Sequence, residues 1–473
     1  MKKIYIVILT AILLFAQSSK AQENVALYFS NQPQSISFNP AFNAKYKVFV
    51  TLPVVGKTHF GLNTSGFAWN DLINQSPVYP DSLRIDVNGF LGKLKKSNNL
   101  SLTASFDILG VGFKIGKNYF SIGESLNIES KLSFSKSFFD FLVHGTGMAS
   151  NNVDILDRDI LALSAYLTTY IGYAREITDE LTVGARLKMY NGIANVHTNK
   201  SIVNCRFDEN SIEAYGDFDI DMSLAMGYLA PVNSVVNDGD FKFESYDNVS
   251  DYISNAMNNR GFGVDIGATY KYNDMQFSVS VVDFGSIKWK KGNKIKSRNP
   301  GQKINFSGID TDYDNIGNDF DNYFNDMADS LKDAFDLEIT DIASYKTGVP
   351  TKIYVGYTWD FYTNMQLQAL YSGRIINSSY ENALTLSYAY SCGPLQLAVG
   401  NTFKYKFFNP TVYVGLGGFY IGASVASSYN LAKTSGMNLY VGCNFLLRDK
   451  KASKTNVEPQ SEDVSQRLSF LER

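Results

Sequence analysis

The sequence predicts an all-β protein, a transmembrane antiparallel β-barrel of about 14–16 strands whose long outer loops carry short helices. Three observations point there. Apolar and polar residues alternate over repeated runs of about nine to eleven residues, the length a strand tilted by about 45° needs to cross a bilayer. The connections between those runs fall into a short class and a long class, as they do at the two ends of an outer-membrane barrel. The chain opens with a secretory leader, and no later stretch holds eighteen consecutive apolar residues, so helical spans are not expected.

Residues 1–21 read as a signal peptide. Met1-Lys2-Lys3 is positive, Ile4–Ala16 is almost wholly apolar, and Ser19 and Ala21 are small residues ahead of a cut before Gln22. At about 1.5 Å per residue that apolar run reaches roughly 20 Å, short of about 30 Å of hydrocarbon. No Cys follows it, so a lipid anchor is not expected. Residues 22–44 are expected to form an N-terminal periplasmic segment with Asn39-Pro40-Ala41, 45–447 the barrel, and 448–473 a polar periplasmic tail.

Within the barrel, Leu181, Val183, Ala185, Leu187 and Met189 alternate with Thr182, Gly184, Arg186, Lys188 and Tyr190. The same period runs through Leu102–Ile108, Val264–Tyr270, Met275–Val281, Ile353–Phe361, Phe419–Val425 and Leu439–Phe445. Short turns are expected at Gly116-Lys117-Asn118, Ile177–Glu180, Tyr272-Asn273-Asp274, Asp360–Asn364, Ser391–Pro394 and Gly417-Gly418. Long insertions are expected at 131–159, 228–260 and 291–349, the last acidic and partly helical, while 82–92 and 200–226 read ambiguously. The polar faces carry Arg186, Lys188, Asp265, Lys271, Lys352 and Asp360. A basic side chain facing lipid near the midplane costs about 2–4 kcal/mol, so these charges are expected in the lumen. Aromatic residues near the short turns (Tyr170, Tyr173, Tyr270, Tyr272, Trp359, Phe361, Tyr362, Tyr388 and Tyr390) suit an interfacial girdle. A soluble sandwich would show the same alternation, but strand length, turn asymmetry and leader favour the barrel.

Composition narrows the function. Lys and Arg number 43 against 46 Asp and Glu, a net charge of −3, so no basic excess attracts nucleic acid. The three His (His59, His144, His197) and three Cys (Cys205, Cys392, Cys443) lie far apart in no ligand or redox spacing. No metal, cofactor or catalytic constellation is expected, and the chain does not read as an enzyme.

Asp310-Thr311-Asp312-Tyr313-Asp314-Asn315 begins like a calcium loop, but Asn315 and Asp321 stand where Gly and a bidentate Glu are wanted, so a solvated acidic loop is the preferred reading. Beyond it Phe320, Tyr323, Phe324, Met327, Leu331 and Phe335 recur at helical spacing. That stripe either packs on the barrel mouth as a lid or plug, or offers an apolar entry site. A second aromatic stretch holds Phe134, Phe138 and Phe139. Phe134, Phe138, Phe139, Phe320, Phe324 and Met327 are the candidate ligand-binding residues. Val464, Leu468 and Leu471 in the tail could dock on a periplasmic protein.

The run Ser35-Ile36-Ser37-Phe38-Asn39-Pro40-Ala41-Phe42 resembles the N-terminal region of fatty-acid-porin-like barrels and of the small barrels that accompany gliding motility and type IX secretion in Bacteroidota. The runs Gly261–Tyr270 and Val282–Trp289 resemble an uncharacterised Bacteroidota family defined only as a domain of unknown function, over most of the mature chain. The resemblance implies an outer-membrane barrel and brings no catalytic residues. The expected function is binding or transport of a small hydrophobic molecule, with outer-membrane lipid around the wall. The alternative is a non-enzymatic accessory barrel of a secretion or motility machine.

Overall fold

The computed structural model describes residues 25–28, 30–42, 46–65, 67–75, 82–144, 152–157, 160–208, 211–229, 243–245, 247–298, 304–306, 337–376, 379–404, 407–427 and 434–448. The leader, the acidic stretch 310–321, the stripe from Phe320 to Phe335 with Phe320, Phe324 and Met327, and the tail beyond Arg448 lie outside them.

The strands pair neighbour to neighbour into a closed ring. Its first position is made of two pieces in line, Tyr46–Thr51 and Thr58–Ser65. Both pair with Ser97–Ile115 on one side and Thr434–Arg448 on the other. The wall continues through Ser97–Ile115, Asn118–Ser135, Leu161–Glu176 (prolonged by Asn152–Asp157) and Leu181–Asp208. The next position is shared: Arg260–Tyr272 pairs with the first part of Leu181–Asp208, and Ser211–Leu224 with the rest. Met275–Ser297 follows, then Leu337–Gly348 and Thr351–Tyr362 in line. The hairpin series Met365–Ile376, Ser379–Cys392, Leu395–Lys404, Phe407–Leu416, Phe419–Ser427 and Thr434–Arg448 closes on the first position. Among the described residues this makes fourteen positions, each antiparallel to its neighbours, at the lower end of the expected number.

Alternation sorts the two faces as a membrane barrel requires. Leu187, Ile266, Val279, Phe284, Val412, Leu416 and Phe445 face outward and are half or more exposed, while Tyr190, Trp289, Tyr354, Tyr413, Tyr420 and Tyr440 face inward and are buried. The short turns fall where expected, with left-handed residues at Gly116, Asn273, Asn364, Gly393 and Gly417, since tight hairpins demand φ above zero.

Several expectations are corrected. The strands in the first half of the ring are longer than a bilayer requires, with 19 residues in Ser97–Ile115 and 28 in Leu181–Asp208, because they run past the lipid belt toward the long insertions. The insertion expected at 291–349 is narrower, since 291–297 and 337–348 pair as strands. Tyr170 is not part of the girdle: it points inward, under the Arg186 guanidinium at 5.0 Å. Residues 25–28 and 30–42, within the stretch 22–44 expected as a periplasmic segment, lie inside the barrel. The segment is rich in buried side chains (Leu27, Tyr28, Gln32, Gln34, Ile36 and Asn39 are all at most 5% exposed), and only the lumen offers them partners.

Candidate functional site

Residues 25–28 and 30–42 form a plug. Two short helical turns, Val25–Tyr28 and Pro33–Ser37, compact it, and Pro33 starts the second with a backbone angle already suited to it. Its apolar side chains dock at two places. Leu27, Tyr28 and Phe38 pack among Val282, Tyr354, Leu370, Tyr413, Tyr420 and Tyr440, and Ile36 packs against Tyr46, Phe49 and Tyr119. Burial pushes the Tyr28 phenol above its ordinary pKa, against the lowering effect of hydrogen bonds with Ser278 and Asn39, so it stays neutral and paired.

Polar contacts fix the plug's register. The Gln34 amide donates to the Gly56 carbonyl at 3.1 Å and to Asn444 Oδ1 at 2.8 Å, and the Asn444 amide returns a bond to Gln34 Oε1 at 3.0 Å. Gln32 Nε2 donates to the Gly417 carbonyl at 2.9 Å, at a short turn. Asn39 Nδ2 donates to the carbonyls of Ala268 and Val279, while its Oδ1 accepts from the Ala41 amide at 2.9 Å, so one side chain both ties the Asn-Pro-Ala turn and pins it to the wall. The wall admits this turn because two cross-strand partners, Gly184 and Gly267, carry no side chain. A Cβ on Gly184 would lie 2.3 Å from the Pro40 carbonyl oxygen, and one on Gly267 2.1 Å from Asn39 Oδ1.

Beside the plug stands a buried ionic network. Arg186 and Lys188 both pair with Asp265, at 2.5 and 2.9 Å, and Lys188 and Lys352 pair with Asp283, at 2.5 and 3.2 Å. The Asp283 amide donates to Asp265 Oδ1 at 2.7 Å, and Arg186 Nη2 reaches the plug at the Ser37 carbonyl, 3.1 Å away. Three cations face two carboxylates, and the Ser37 carbonyl gives Arg186 one further acceptor. Arg186, Lys188 and Asp265 are at most 7% exposed, and removing one partner of such a buried pair is costly.

Above the plug lies a cavity of about 150 Å³, floored by Pro33–Phe38 and walled by Lys57, His59, Asp107, Glu129, Arg186 and Arg374 among others. Arg374 pairs across it with Glu129. Farther along the same strands, toward the long insertions, Phe67, Phe90, Phe134 and Phe139 form an aromatic cluster with ring centroids 5.0–6.2 Å apart. The helices Val87–Lys93 and Lys136–His144 bring Phe90 and Phe139 there.

The structure therefore gathers Arg186, Lys188, Asp265 and Lys352 at one place. Lys271 and Asp360 share the inward-facing parity but sit at the short-turn rim, exposed, with Asp360 bonded to Gln366 at 2.6 Å. Phe134 and Phe139 join one cluster, and Phe138 lies in the first turn of the helix that carries Phe139, its amide bonded to Ser135 Oγ at 2.9 Å. Asp283 escaped sequence reasoning. Continuing the alternation Phe277, Val279, Val281 would put it against lipid, but a bulge, with Asp283 at φ +59°, turns it inward. An acid at the next lipid-facing position was the signal.

The chain is similar to the Pseudomonas putida toluene transporter TodX, at 11% identity over 91% of this chain and 96% of that one, with a TM-score of 0.40. A Pseudomonas aeruginosa FadL homologue matches at 12% identity over 88% and 94%, with a TM-score of 0.42. No curated protein matches the chain. Residues 40–424 match the model of a family of unknown function, DUF5723, and the chain belongs to that family.

Proposed function

We propose that the protein is an outer-membrane barrel that binds or passes a small, largely hydrophobic molecule, as a channel or binding protein rather than an enzyme. The observation that carries this reading is the plug held inside a closed wall beneath a cavity, with an aromatic cluster on the same strands at the mouth side. An empty closed ring would leak ions, and a solid one would pass nothing; a plug tied by separate polar contacts lies between. Each such contact contributes about 0.5–1.5 kcal/mol net, so a ligand that competes for the Ser37 or Gln34 contacts can loosen the segment without unfolding the wall. The Phe67, Phe90, Phe134 and Phe139 rings supply apolar contact area for the ligand body, and the charged cavity below takes a polar end.

The test is a fluorescence titration of the detergent-folded full chain with a long-chain fatty acid and, separately, an aromatic hydrocarbon. Micromolar binding of either, weakened several-fold by Phe139→Ala, supports the reading. Binding of neither by protein whose unboiled band still migrates as a folded barrel overturns it.

A further inference from the structure

On the side of the long insertions, the first row of outward-facing side chains beyond the lipid belt is basic across three adjacent strands. Arg260 is the cross-strand partner of Lys288, and Lys288 of Lys346, while Lys290 stands two residues farther along the same face. All four are exposed. The parity is fixed by their neighbours, because Trp289 and Tyr345 point inward and stack with centroids 6.4 Å apart. One row nearer the short turns, Met189 and Phe262 are cross-strand partners and face outward with exposures of 38% and 71%, and Phe284 follows one row farther on at 64%.

The height fits a headgroup layer. Arg260 lies twelve residues from Tyr272 at the short turn. At about 3.3 Å per residue and a tilt of about 45°, that is roughly 28 Å, against an apolar band about 25 Å tall. Like charges set side by side on neighbouring strands repel, and no ion pair links any of the four to another described residue. The Arg260 Nε donates to the Met257 carbonyl at 2.8 Å, which fixes the guanidinium beside the helix Val249–Asn258. That helix exposes Val249, Ile253 and Met257, by 68%, 56% and 50%, at positions i, i+4 and i+8. An apolar helical stripe next to a basic row is the composition of an element lying at the boundary between headgroups and acyl chains.

We propose that Arg260, Lys288, Lys290 and Lys346 form a binding site for the phosphorylated headgroup of a membrane lipid, with the Val249–Ile253–Met257 stripe resting among its acyl chains. The inference rests on the reading that the barrel sits in an outer membrane. Phosphate oxygens supply the counter-charge that no ion pair among the described residues gives these four.

The experiment is native mass spectrometry of the detergent-folded full chain with diphosphoryl lipid A or phosphatidylcholine as probe. The triple variant K288Q/K290Q/K346Q is compared with K117Q/R175Q/K271Q, which removes as many exposed cations from the other end. Wild type is expected to retain lipid A in preference to phosphatidylcholine, against millimolar inorganic phosphate. The first variant should lose roughly 10- to 100-fold in lipid A affinity at low salt and the second should not. Equal losses in the two variants, or displacement by inorganic phosphate, would overturn the site. Heat-dependent gel mobility on the same samples separates the two readings: a retained shift without lipid preference removes the site alone, and no shift in wild type removes the barrel reading with it.

Discussion

Arg186 ties the ionic network to the plug, through its Nη2 bond of 3.1 Å to the Ser37 carbonyl. Its partner Asp265 is wholly buried and also holds Lys188. Replacing Asp265→Ala would leave Arg186 without its carboxylate and Lys188 with only Asp283. Removing one partner of a buried pair costs about 3–5 kcal/mol. The expected outcome is a marked drop in the urea midpoint of the heat-modifiable form. Arg186→Met removes a charge and the Ser37 contact together, and should lower that midpoint and raise ion conductance in planar bilayers.

The paired glycines under the Asn-Pro-Ala turn give a sharper test of the plug. Gly267→Val places a side chain where Asn39 Oδ1 now sits, 2.1 Å from the nearest possible Cβ. Because Asn39 also ties its own turn through the Ala41 amide, the clash should detach the turn as a unit. Limited proteolysis should then cut within residues 30–42, while the wall stays resistant. Gly348→Ala is the control, since a Cβ there meets nothing within 4 Å, and it should leave the digestion pattern unchanged.

These two tests bear on features of different legibility. The wall was readable because a strand's period of two separates lipid-facing from lumen-facing residues, and Leu187 and Arg186 obey it without exception. The lumen grouping of Arg186, Lys188 and Asp265 followed from the cost of a charge in lipid. The plug was not readable in the same way. Its side chains follow neither period, and its partners stand as far off in sequence as Asn444 from Gln34, 410 residues away. Asp283 was hidden by a single bulge, which reverses the face of every later residue on its strand.

Gln34 and Asn444 exchange amide hydrogen bonds in both directions. Two buried amides paired with each other should couple energetically, whereas either one alone is left with unmet donors and acceptors. A double-mutant cycle of Gln34→Ala and Asn444→Ala, read by unfolding in urea, should give a coupling of about 1 kcal/mol. Additive losses would mean that the two side chains act independently and that Gly56 and Gln32 carry their contacts.

The mouth cluster separates function from wall stability. Phe90 is buried between Phe67 and Phe139, with ring centroids 5.0 and 5.3 Å away, and it rides on the helix Val87–Lys93 rather than on a strand. Truncating a buried Phe typically costs about 3–5 kcal/mol where the surroundings cannot close the gap. Here the loss falls on the helices over the mouth, because no wall pairing depends on them. Phe90→Ala should therefore leave the heat-modifiable barrel intact. It should speed hydrogen exchange in 87–93 and 136–144 and weaken binding of a hydrophobic ligand several-fold. Unaltered binding alongside faster exchange would show that the cluster is packing for the helices and that the ligand, if held in the lumen, is held by the charged cavity below.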